Sequence, residues 1–124
     1  MWKMESLDIQ AFTFEQRHEV LQHLTTDLIR CGAWVTERQA ASTDSIEFDL
    51  EIRLRMVLDV YSVIVSSGVE LSRSGHDILT DLCTVRKHIS LTSELGQFVE
   101  LRLRVRFLDE INPISFLSMA QTPS

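Results

Sequence analysis

Between Val99 and Phe107 the chain alternates without a break. Val99, Leu101, Leu103, Val105 and Phe107 fall on one parity, and Glu100, Arg102, Arg104 and Arg106 on the other. Successive side chains of a strand point to opposite faces, so this run is a strand with one face in a core and the other in water. Such a strand needs partners of the same two-sided kind and a cover for its apolar face. The rest of the sequence supplies both.

Leu7, Ile9 and Ala11 alternate with Asp8 and Gln10. Ile46, Phe48, Leu50 and Ile52 alternate with Glu47, Asp49, Glu51 and Arg53. A weaker alternation covers Trp34 to Ala41, and Ser42-Thr43-Asp44-Ser45 has turn chemistry, so 34–52 reads as an antiparallel hairpin. Helical spacing fills the gaps. Thr13 and Gln16 have the spacing of a capping box, ahead of an apolar stripe through Phe14, Val20, Leu21, Leu24, Leu28 and Cys31. Gly32 stands where a helix ends in a left-handed residue. The stretch 54–69 fits both periods, but a strand from 46 to 65 would exceed the usual length, so a helix is expected. Its second apolar flank (Met56, Val60, Val63) requires burial on more than one side. After the break at Ser72-Arg73-Ser74-Gly75, a further helix carries Ile78, Leu79, Leu82, Cys83, Val85 and Ile89 inward, with Arg86, Lys87 and His88 in its last turns, where cations suit the helix dipole.

The order β-α-β-β-α-α-β, with right-handed crossovers, predicts an α+β ferredoxin-like sandwich: a four-stranded antiparallel sheet with helices on one face. In that topology the first and third strands are neighbours and the last strand flanks the first on its other side. Residues 1–124 form one domain, with 112–124 as a loose or docking tail carrying Ile114, Phe116, Leu117 and Met119.

Composition narrows the function classes. The net charge of −6 argues against a general nucleic-acid binder, which needs clustered Lys and Arg. No segment has the run of apolar residues that a membrane span requires, and the N-terminus has neither a signal-peptide nor a transit-peptide pattern, so a cytoplasmic location is expected. Cys31 and Cys83 are far apart and read as buried free thiols.

The segment Leu7 to Ile52 resembles an ACT domain. The resemblance rests on the strand Leu7 to Ala11, the helix ending Leu28-Ile29-Arg30-Cys31-Gly32, the strand beginning Ala33-Trp34-Val35 and the hairpin to Ile52. It implies a ferredoxin-like regulatory module that binds an amino acid and pairs through sheet edges or helices. Two features depart from the family pattern: the turn Phe12–Arg17 has no glycine, and an extra helix lies between the third and fourth strands.

The open sheet face is expected to carry Glu47, Asp49 and Glu51 on one flank, Asp8 and Gln10 centrally, and Arg102, Arg104 and Arg106 on the other. It reads as a solvated face with charge ladders, as an interface in which the arginine stripe of one copy meets the acidic stripe of another, or as a site for an anionic ligand. No metal-ligand signature is present; His18 and His23 are about 140° apart on a helix, and His18 is expected at the core edge. Neither a nucleophile elbow nor a phosphate-binding glycine loop occurs, so no catalytic residue and no cofactor is expected. Ser72 to Gly75 reads as helix capping. The reading is a non-enzymatic, self-associating (dimeric) ACT-like module with a small ligand at the subunit junction. The alternatives are a ligand-binding protein or minor enzyme with a pocket between helices and sheet lined by Trp34, Tyr61 and His76, and a structural partner that docks through its C-terminal tail.

Overall fold

Alternating strands and amphipathic helices resolve into two layers in a computed structural model, which describes residues 6–42, 44–89 and 92–108, with side chains undescribed at 37–42, 92 and 93. The elements are β1 (Leu7–Thr13), α1 (Arg17–Arg30), β2 (Trp34–Ser42), β3 (Ser45–Arg53), a 3-10 turn (Leu54–Met56), α2 (Val57–Ser66), β4 (Glu70–Leu71), α3 (Arg73–His88), a short turn of helix α4 (Thr92–Leu95) and β5 (Phe98–Phe107). The protein is α+β, and its described residues form a mixed five-stranded sheet and three main helices. The expected tail 112–124 lies outside the described residues. Among the described residues no helix is long and apolar enough to cross a membrane.

The strand order is β2-β3-β5-β1-β4. This differs from the expected four antiparallel strands: β5 lies between β3 and β1, antiparallel to the first and parallel to the second, and β4 adds a two-residue edge beside β1. The physical reason lies in β5 itself. Its inward residues Val99, Leu101, Leu103, Val105 and Phe107 are all buried, so it is best placed mid-sheet. Its outward arginines then stand between Glu47 and Asp49 of β3 and Asp8 and Gln10 of β1. In the expected order Asp8 would have stood beside the acidic column of β3, and the arginines would have had carboxylate neighbours on one side at most.

One core joins the inward strand faces to the helices. Leu24 and Leu28 of α1, Val57, Val60 and Ile64 of α2, and Leu79 and Leu82 of α3 meet Ile9, Phe48, Leu50, Ile52, Leu103 and Phe107. The ambiguous segment 54–69 is a 3-10 turn over Leu54–Met56 and helix over Val57–Ser66, with 67–69 outside the helix, and Val60 of its second flank is fully buried while Met56 and Val63 are half-buried.

The helix ends divide. Gly32 has φ +98°, and the amides of Gly32 and Ala33 donate to the Ile29 and Leu28 carbonyls, closing α1 as its sequence requires. The capping box at Thr13 does not form. Thr13 is the buried last residue of β1; its hydroxyl donates to the Gly68 carbonyl (2.7 Å) and accepts from the Glu15 amide (3.1 Å), and α1 starts only after Gln16. Ser72 does cap α3, accepting from the Gly75 amide at 3.0 Å.

Candidate functional site: the open sheet face

With all helices on one side, the outward parity of every strand makes up a second surface. Pairing of Cα positions arranges it in rows running across the sheet. The first row is Trp34, Glu51 and Glu100; the second Thr36, Asp49, Arg102 and Asp8; the third Glu47, Arg104 and Gln10; the fourth Ser45, Arg106, Phe12 and Glu70. Carboxylates occur in every row, while the β5 arginines begin at the second, so the first row carries two carboxylates and no arginine.

The arginine stripe is used within the chain. Arg102 Nε lies 3.4 Å from an Asp49 carboxylate oxygen. Arg104 donates to Glu47 through Nε at 2.9 Å and through a second guanidinium nitrogen. Arg106 Nε donates to Asp44 Oδ2 at 3.2 Å. Five of the six residues expected at an interface (Arg102, Arg104, Arg106, Glu47 and Asp49) thus serve as a cross-strand ladder, with Asp44 as an added member. Asp44 was legible only as a turn residue; its role depends on the β2–β3 turn folding back beside β5. Glu51, the sixth, faces Glu100 instead.

Two hollows mark the ends of this face. The basic hollow, about 570 Å³, is lined by Gln10, Phe12, Asp44, Ser45, Ser72, Arg104, Arg106 and Leu108. The acidic hollow, about 290 Å³, is lined by Ser6, Trp34, Thr36, Asp49, Glu51, Glu100 and Arg102. Exposed aromatics accompany both: Trp34 is 73% exposed, and Phe14, 64% exposed, packs edge-on against Phe12 with ring centroids 6.3 Å apart.

The expected pocket of Trp34, Tyr61 and His76 is only partly brought together. Tyr61 Oη and His76 Nδ1 are 2.6 Å apart on the helix layer. Trp34 lies across the sheet from them, at the start of β2 on the open face. Period-2 alternation places Trp34 outward between inward Ala33 and Val35, but its separation from Tyr61 depends on which face the helices cover. His18 faces solvent rather than the core edge.

Among the described residues no group of three or more His, Cys, Asp or Glu side chains is placed to hold a metal ion. The cysteines are unpaired and half-buried. Burial pushes the Cys31 thiol above its ordinary pKa, with Asp59 and Asp27 adding to the rise and backbone hydrogen bonding at Ala33 opposing it. Burial also raises Cys83, against the charge of Arg86. Raised thiol pKa values are the opposite of what a nucleophilic cysteine requires. No known protein family, characterised protein or solved structure gives a match to this chain.

Proposed function

We propose that the protein is a non-enzymatic binding module, and that the basic hollow takes a small zwitterion of α-amino-acid type. The observation that carries this reading is the convergence of opposite charges on one hollow: Arg104 and Arg106 stand beside Asp44, next to apolar Phe12 and Leu108. Arg104 and Arg106 are paired with Glu47 and Asp44, but each guanidinium carries five N–H donors, so donors beyond those pairs remain to receive a carboxylate, and the Asp44 carboxylate suits an ammonium group. The volume of about 570 Å³ falls in the range of small-molecule sites. In this reading the ACT-like resemblance of Leu7 to Ile52 extends to function, and because the hollow is open to solvent, ligand binding strengthens the pairing of two copies across it.

Calorimetric titration with each free amino acid tests the proposal. One amino acid is expected to bind, with affinity lowered at least about tenfold in Arg104→Gln and Arg106→Gln, each of which removes one charge-assisted contact. Light scattering with the same amino acid is expected to report a larger molar mass. Absence of binding by every amino acid, or binding indifferent to both substitutions, rejects the site.

A further inference from the structure

The opposite end of the sheet face has a different chemistry. Glu51 of β3 and Glu100 of β5 are direct Cα partners, both exposed, on the outward parity. Like charges placed directly opposite each other destabilise a sheet. The arginine of the next row, Arg102, is engaged with Asp49 at 3.4 Å. The arginine of the row beyond, Arg53, is stacked over the Phe98 ring at 4.3 Å and donates to the Gly96 carbonyl at 2.6 Å. Among the described residues neither Glu51 nor Glu100 has an ion pair.

Two further features meet at the same place. Trp34 is the Cα partner of Glu51 and presents its indole to solvent beside the two carboxylates. It also opens β2, the nine-residue strand at the edge of the sheet. Among the described residues no strand lies beyond β2, so its outer backbone N–H and C=O groups are a template for an added strand. The other edge is shorter: β4 has two residues and pairs with the seven-residue β1 only at Ala11 and Phe12.

We propose that this end of the sheet docks an extended, basic segment of a partner protein, which adds along β2 as a sixth strand. The occupant is identified by charge: a protein of net charge −6 presents an uncompensated carboxylate pair next to an exposed indole. A strand added about 4.8 Å beyond β2 places the side chain opposite Trp34 across the indole, directed at Glu51. Lysine or arginine there gains a cation–π contact together with the carboxylates, while the backbone ladder supplies the sequence-independent share of affinity. The exposed tryptophan is the type of residue that anchors such contacts. The inference is independent of the basic hollow, and either site can fail without the other.

The test uses the full chain and an eight-residue probe of alternating lysine and threonine, with a glutamate–threonine counterpart. Binding is followed by calorimetry at 0.15 M salt and by amide hydrogen exchange. The basic probe is expected to bind and to slow exchange along β2, while the acidic probe does neither. Glu51→Gln combined with Glu100→Gln is expected to weaken binding at least about tenfold, and Trp34→Leu by about fivefold or more. All three positions are exposed, and unchanged thermal unfolding of the variants checks that they fold. Three results would overturn the proposal: no binding of the basic probe; binding equal in wild type and both variants, which is diffuse attraction to an acidic protein; or binding with no added protection along β2.

Discussion

Gly75 is a point of close approach between α3 and β1, and replacing it with alanine tests how rigid that contact is. It is the third residue of α3 and is buried. A Cβ added there would lie 3.1 Å from Ile9 Cγ2, 3.2 Å from the Gln10 carbonyl oxygen and 3.3 Å from Ser72 Oγ. Two effects of opposite sign compete. Alanine is favoured over glycine in a helix interior by up to about 1 kcal/mol, and by less in the first turn. Against this, overpacking a tight contact costs about 1–3 kcal/mol. The identity of the contacted atoms decides the balance. Ile9 is a fully buried core residue with no room to turn aside. The Gln10 carbonyl is backbone and already accepts from the Ser72 amide at 2.9 Å, so it cannot retreat without loosening that bond. Gly75→Ala is therefore expected to lose about 1–2 kcal/mol net, a fall in Tm of about 3–8 °C. Urea unfolding followed by circular dichroism measures it, with Thr80→Ala on the exposed side of α3 as a control expected to stay within about 0.5 kcal/mol. A Gly75→Ala protein as stable as wild type, or more so, would show that α3 shifts freely on β1 and refute the reasoning.

The hydrogen bonds of Thr13 give a second expectation. Thr13→Val keeps the shape but removes the donor to Gly68 and the acceptor for Glu15, and a cost of about 1–3 kcal/mol in urea unfolding is expected. A loss under about 0.5 kcal/mol would mean that water satisfies both groups. The thiols give a third. Because burial raises both above their ordinary value of 9.0, thiol-disulfide reagents should modify the native protein slowly at neutral pH and faster only as pH rises past that value. The sign for stability follows: the unfolded chain ionises first, so the thiol contribution is complete below the unfolded pKa and is lost as pH rises through the raised folded values. Unfolding free energy is expected to fall above about pH 9, and less so in Cys31→Ala combined with Cys83→Ala. Fast labelling at pH 7 would contradict it.

Much of this molecule is written locally. Alternation marked β1, β3 and β5 because a strand samples opposite environments at each step, and any sheet that buries Leu101, Leu103 and Val105 must expose Arg102 and Arg104. Gly32 ended α1 because a left-handed residue is needed where the chain turns back. The two-residue β4 left no periodic trace, since no pattern can be read in Glu70 and Leu71 alone. The capping box failed because Thr13 had a stronger use: a buried strand end 55 positions from Gly68 in sequence satisfies its hydroxyl better than a helix start nearby.

The candidate site divides along the same line. The sequence by itself determined which residues face outward: the carboxylates of β3, the arginines of β5 and Trp34 at the start of β2. It did not determine their neighbours, because period-2 alternation assigns a face and says nothing of strand order. Only the tertiary structure placed β5 between β3 and β1, and that placement decides the chemistry of the face. It pairs Arg104 with Glu47 and Arg106 with Asp44 inside one chain, sets Glu51 against Glu100, and leaves β2 as the long edge among the described residues. The physical reason is that strand order is fixed by summing burial and cross-strand charge over the whole sheet, a quantity that no single segment contains.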